Sequence, residues 1–233
     1  MSAIRTLLKD FTQLFFPHYC AGCGSDILPA NAVICVQCLH NLPLTNFHHY
    51  PGNPVEKQFW GRLPIITAMA QCYFTKDSLV QHLLHQLKYK GNQDIGLFFG
   101  RMMGQTLAQS ERMKGIDALV PLPLFASREK KRGYNQATLL CNGISEILQI
   151  PVVNNAVFRL SATETQTNKN RVERWQNMSG RFQLNYSAAI TGKHILLVDD
   201  VITTGATLET CGHELLKAGD MRLSIATLAC TTY

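Results

Sequence analysis

The sequence predicts an α/β fold in which a parallel sheet is flanked by helices, preceded by a small N-terminal module built on four cysteines. Three observations carry this. Short apolar runs alternate with helical stripes from about residue 67 onward, the order that produces strands joined by helical crossovers. The run Ile195-Leu196-Leu197-Val198 has no polar break, as expected of a strand covered on both faces. Two Cys-x-x-Cys pairs, Cys20 with Cys23 and Cys35 with Cys38, are separated by eleven residues near the amino end.

A chain of 233 residues with 46% hydrophobic content suits one α/β domain with an appendage and excludes general disorder. No apolar run approaches the ~18 residues of a membrane span, so the expectation is a soluble protein without a transmembrane segment. Ile4, Leu7, Leu8, Phe11, Leu14 and Phe15 recur at helical spacing, but Lys9, Asp10 and Gln13 break the continuity that an export signal needs. That stretch reads as an amphipathic helix packing on its own protein. The net charge is +6, and the bases concentrate at residues 128–132 and 159–181. Such clusters suit a diphosphate, a nucleic-acid strand or plain solvation, and charge by itself does not choose.

The cysteine spacing predicts a closed tetrahedral Zn2+ site with Cys20, Cys23, Cys35 and Cys38 as ligands, a disulfide pair or an iron–sulfur cluster being the alternatives. The surrounding segment holds few large apolar groups, so bound metal is expected to supply folding energy there. His18 and His40 flank the pairs and read as exposed polar residues. Cys72, Cys141, Cys211 and Cys230 stand singly in apolar patterns and read as small core hydrophobes. The breaker cluster Pro51-Gly52-Asn53-Pro54 marks the boundary region, giving a module at residues 1–60 and a second domain at residues 61–233.

Along that second domain, residues 67–75 read as a strand. Leu79, Val80, Leu83, Leu84 and Leu87 then give a helix closed by Lys88, Lys90 and Gly91. A further helix is expected at residues 95–109 and a short strand at residues 118–123, where Pro121 and Pro123 stop the ladder and stiffen a loop leading to Arg128, Arg132 and Gly133. A helix at residues 134–148, a strand at 152–158 and a polar basic segment at 161–179 precede the apolar strand. Leu208, Cys211, Leu215 and Leu216 supply the stripe of the next helix, Gly219 its cap, and residues 225–229 a last strand.

The chemistry is densest where the apolar strand ends. Asp199 and Asp200 follow Val198, and Val201, Ile202, Thr203, Thr204, Gly205, Ala206 and Thr207 lead into the helix. Ligands of open α/β sheets bind beyond the carboxyl ends of strands, and a helix start offers unpaired amide hydrogens to a phosphate. Gly205 permits close backbone approach, while the threonine hydroxyls add donors. Adjacent carboxylates ~6 Å apart repel by roughly 3 kcal/mol at an effective dielectric of ~20, so they favour a diol or a cation such as Mg2+ beside them. No Gly-Lys-Ser or Gly-Lys-Thr follows a glycine-rich turn, which excludes a Walker A loop.

This segment resembles the phosphoribosyl pyrophosphate signature of type I phosphoribosyltransferases, and the whole chain resembles the ComF family of competence-associated proteins. The wider resemblance rests on Leu87-Lys88-Tyr89-Lys90-Gly91, Val120-Pro121-Leu122-Pro123 and Arg132-Gly133-Tyr134-Asn135-Gln136-Ala137, with Gln166, Arg171, Arg174, Asn177, Gly180 and Phe182 as a spaced pattern. It implies a type I phosphoribosyltransferase-like sheet that binds phosphoribosyl pyrophosphate with Mg2+. In that scheme Asp199 and Asp200 face the ribose as the catalytic pair, and residues 201–207 hold the 5-phosphate. Residues 121–128 form the pyrophosphate loop and residues 163–177 a mobile loop, with Arg128, Arg132, Arg171 and Arg174 on the ligand.

The resemblance also implies a cytoplasmic protein handling internalised single-stranded DNA in natural transformation, with a DNA-uptake helicase or recombination proteins as partners and Phe47, Tyr50 or Trp175 as strand contacts. The alternative is an active transferase acting on a nucleobase or another small nucleophile; the sequence names no acceptor.

Overall fold

A computed structural model describes residues 19–26, 28, 32–160 and 182–231. The stretch at residues 4–15, His18 and the segment 161–181 with Arg171, Arg174 and Trp175 lie outside the described residues. In chain order the elements are α1 (Val36–His40), α2 (Pro54–Lys57), β1 (Ala68–Phe74), α3 (Leu79–Tyr89), α4 (Asp94–Gln109), β2 (Ala118–Pro121) and α5 (Ala126–Arg132). They continue as α6 (Gln136–Leu148), β3 (Val157–Arg159), β4 (Phe182–Leu184), β5 (His194–Ile202), α7 (Ala206–Leu216) and β6 (Arg222–Thr231). Four strands form a parallel sheet in the order β1-β6-β5-β2, while β3 and β4 pair antiparallel as a separate ribbon.

The sheet is parallel because each crossover contains a helix with one apolar stripe. The central strands are buried throughout residues 195–198 and 225–229, so the unbroken apolar runs are the register of a covered sheet. Helix α6 packs on β2 and β5, α4 on α6, and α7 on β5, β6 and the β3–β4 ribbon. Ser78 starts α3 by accepting from the Gln81 amide at 3.2 Å, and Gly91, at φ +73°, lies just past the helix end. Asn135 starts α6 through the Ala137 amide at 3.0 Å while its own Nδ2 donates to the Leu122 carbonyl at 3.0 Å, tying the helix to the loop after β2.

Two sequence expectations are corrected. The strand expected at residues 152–158 is divided: Val152 makes a single parallel bridge to Leu119, a turn follows at Asn154 and Asn155, and only Val157–Arg159 is strand, in the ribbon. Consecutive asparagines favour the turn over a continued ladder. The loop expected before Gly133 contains α5, a seven-residue helix without a buried residue, which has no apolar stripe to announce it.

Register places the site. Pairing of β2 with β5 stops at Pro121 and Val198, whereas pairing of β6 with β5 continues to Ile202 and Cys230. Past Val198, β5 is therefore laddered on one side, and its two acids stand beside the loop that follows β2. At the margins of the sheet, Thr45 donates its amide to the Gln71 carbonyl at 3.1 Å and Tyr73 donates to Pro43 at 2.8 Å. On the far side Leu119 donates to Pro151 at 2.9 Å and Val153 donates to Leu119 at 2.8 Å.

Candidate functional site

Asp199 and Asp200 are both half-buried near the end of β5, where successive strand residues point to opposite faces. Lys88, at the end of α3, places Nζ 2.9 Å from Asp200 Oδ2. The Asp200 amide donates to Asp199 Oδ1 at 2.8 Å. Burial first, and the charge of Asp200 second, push the Asp199 carboxyl up to about 8; the Asp200 amide, Lys88 and Arg159 pull the other way and do not prevail. The pair thus has one acid held by a cation and one whose burial and charged neighbour favour the protonated form.

The turn beyond the pair is braced from the amino-terminal half of the chain. Gly205 sits at φ +72° as the residue before α7, and no side chain caps that helix start. A Cβ at Gly205 would fall 3.2 Å from Gln58 Oε1 and from the Phe59 ring, so the position demands glycine for both conformation and space. Arg62 donates to the Thr204 carbonyl at 3.3 Å and pairs with Glu209 on α7. Thr203 and Thr204 are exposed, Ala206 and Thr207 half-buried. Val201 precedes the turn within β5, also half-buried. The result is an open helix N-terminus flanked by hydroxyls, contiguous with the acids.

Of the predicted arginines, the two among the described residues, Arg128 and Arg132, do not gather on the acid pair. Arg128 lies 5.7 Å from the Phe125 ring centroid, and Arg132 lies 5.6 Å from that of Tyr89 while donating to Gln136. The arginine that acts on Asp199 is Arg159 of β3, stacked 3.8 Å over Phe125 and 5.2 Å from Phe182. It lines a cavity of about 410 Å³ with Asn135, Thr138, Asn154, Phe158 and Glu129, between the loop after β2 and the ribbon. Lys88 and Arg62 are functional candidates to which sequence reasoning gave no role, and Arg159 was read only as one end of the basic cluster at residues 159–181. Lys88 stood inside a quoted motif, and its place at a helix terminus was the available signal.

In the N-terminal module, the Sγ atoms of Cys20, Cys23, Cys35 and Cys38 all lie within 4.8 Å of one another, with Cys23 and Cys35 3.7 Å apart. A tetrahedral thiolate shell with Zn–S near 2.3 Å needs sulfurs about 3.8 Å apart, so the donor set fits a metal ion. Burial raises the Cys20 thiol, but amide donation from Cys23, Cys35 and Gly22 outweighs it and brings Cys20 to about 6; burial and the neighbouring sulfurs push Cys38 up. A Cβ at Gly22 would fall 2.7 Å from Cys38 Sγ and 2.8 Å from Leu79, which shows how closely the first knuckle lies against α3. Gln86 of α3 donates to the Ala21 carbonyl at 2.5 Å. Cys72, Cys141, Cys211 and Cys230 are buried with raised thiols, as core residues.

Comparison with known proteins decides the family. Residues 130–231 match the phosphoribosyl transferase domain. Competence protein F of Haemophilus influenzae is 32% identical over 215 residues, covering 92% of this chain and 85% of that protein. The chain belongs to the ComF family. DNA utilization protein YhgH of Escherichia coli is 31% identical over 204 residues, covering 86% of this chain and 85% of that protein. Competence protein ComFC of Bacillus subtilis is 32% identical over 205 residues, covering 83% and 82%. The ComF chain thus joins a type I phosphoribosyltransferase-like parallel sheet, flanked by helices, to a four-cysteine cluster able to hold a metal. Among its described residues no helix is long and apolar enough to cross a membrane. Of the aromatics expected to meet a strand, Tyr50 is exposed, but Phe47 is buried edge-on against Tyr73 at 5.6 Å and is not available.

Proposed function

We propose that this ComF protein holds phosphoribosyl pyrophosphate with Mg2+ at the end of β5 and handles internalised single-stranded DNA in the cytoplasm during natural transformation. One observation carries the ligand assignment: the Asp199–Asp200 pair runs directly into the Gly205 turn and the uncapped start of α7. The acids orient the ribose hydroxyls, and Asp199 releases its proton to bulk water as the hydroxyls come to donate to it. The amides of the first turn of α7, with Thr203, Thr204 and Thr207, take the 5-phosphate. Arg159 faces the pyrophosphate side from β3; Arg128 and Arg132 reach it from α5, and Arg171 and Arg174 belong to the same reading.

Asp199 and Asp200 would help hold Mg2+ with the ligand, and the ion would supply positive charge against the diphosphate. Zn2+ in the Cys20, Cys23, Cys35 and Cys38 cluster is read as structural. The DNA role is supported by the competence and DNA-utilization names of the relatives. A helicase or recombination protein is the partner class that fits it.

Calorimetric titration with phosphoribosyl pyrophosphate and Mg2+ tests the site. Wild type binds, and Asp199→Ala with Asp200→Ala loses at least tenfold in affinity; undiminished binding by the double variant refutes the assignment. Pyrophosphate release on adding a free nucleobase would move the reading to an active transferase.

A further inference from the structure

We propose that a single DNA strand lies along a cationic and aromatic rail formed by α5 and the end of α3, and that it competes with the diphosphate ligand. This rests on the reading of the protein as a handler of single strands and assigns the surface, which that reading leaves open.

The rail is defined by helix geometry. Ala126 and Glu129 line the 410 Å³ cavity, which puts the acid of α5 on that side of the helix although it stays exposed. Arg128 and Lys131 project from the other side of the helix with Arg132 beside them, since residues three and four apart share a face about 6 Å along the axis. Arg128 and Lys131 are exposed and Arg132 half-buried.

An aromatic ring terminates each end: Phe125 beside Arg128 at 5.7 Å, and Tyr89 beside Arg132 at 5.6 Å. Tyr89 is 70% exposed, with the His85 ring 5.0 Å from its own, and Lys90 next to it is exposed as well. Tyr134 pins this junction by donating to the Leu87 carbonyl. Cations to track a backbone, beside an exposed ring on which a base can stack, are what an unpaired strand requires; a duplex keeps its bases stacked away from such a ring.

Both ends of the rail touch the cleft. Tyr89 follows Lys88, which holds Asp200, and the Phe125 ring carries Arg159 on it as well as Arg128. A strand that draws Arg128 and Arg132 outward removes cations from the pyrophosphate side, and a bound diphosphate removes them from the strand. The two ligands are therefore antagonists.

Fluorescence anisotropy of a labelled thymidine 20-mer with the full chain tests this across a salt series. Tyr89→Ala is expected to weaken binding about tenfold by loss of stacking. Lys131→Glu is expected to weaken it several-fold and to flatten the slope of log affinity on log salt by about 0.7. Adding phosphoribosyl pyrophosphate with Mg2+ weakens strand binding in wild type and not in the Asp199→Ala, Asp200→Ala variant. Wild-type affinity in both rail variants overturns the surface, and strand affinity indifferent to the diphosphate ligand overturns the antagonism. A wild type that binds no oligonucleotide overturns the DNA reading itself, a separate failure.

Discussion

Two neighbouring carboxylates at the end of a buried strand repel each other, and among the described residues only Asp200 has a lysine in contact with it. Lys88 holds Asp200, and Asp199 is left with a carboxyl raised to about 8. A raised acid favours the folded state while protonated: that contribution is whole below the unfolded value near 4 and is lost as pH rises to 8. Asp199→Asn, which keeps the neutral shape, should therefore unfold about 4 °C higher than wild type at pH 9, with the two converging near pH 4 in thermal melts. The acids and the threonine turn were legible in the sequence because they are contiguous along the chain. The approach of Lys88 and Arg159 to the acids was not, although Arg159 stood in a basic cluster, since α3 and β3 bring them to Asp200 and Asp199 only by tertiary contact. Phe47 misled for the opposite reason: it sits among histidines in sequence yet packs on Tyr73.

Helices α4 and α6 meet along glycine. A Cβ at Gly143 would lie 2.5 Å from the Leu97 carbonyl, and one at Gly100 would lie 2.8 Å from the Gly143 Cα. Gly96 and Gly104 extend the same line toward Leu139 and Ile147. Neither backbone can retreat, because α6 is packed on β2 and β5 behind it. Gly100→Val should cost about 3 kcal/mol, measured as a lower denaturant midpoint, while an exposed control such as Gly115→Ala is limited to its positive φ. The glycine spacing at 96, 100 and 104 is visible in the sequence, but nothing there names Gly143 as the partner. Helix α5 was unreadable for a simpler reason. It buries nothing, so it leaves no period in the hydrophobic pattern.

At the level of the whole molecule, the cysteine cluster and the acid pair are the two ends of one connection. Gln86 holds the Ala21 carbonyl, and Lys88, two residues on, holds Asp200. Purified protein should contain one zinc per chain, and a chelator should lower the melting midpoint by about 5 °C or more; metal analysis and melts with and without chelator check both. Parallel strands with helical crossovers were readable from alternation, but the strand order was not. It depends on which apolar stripe lies over which strand, a matter of packing rather than of local pattern.

The strand order has a practical corollary. The exposed flanks of a four-stranded sheet invite other chains to add on, and here residues 43–45 shield β1 while residues 151–153 shield β2. A truncated phosphoribosyltransferase-like half starting near residue 61 would strip the first shield away. It would offer an apolar ladder to its neighbours, so insolubility of that piece would report a lost guard rail and not a failure of the remaining sequence to fold.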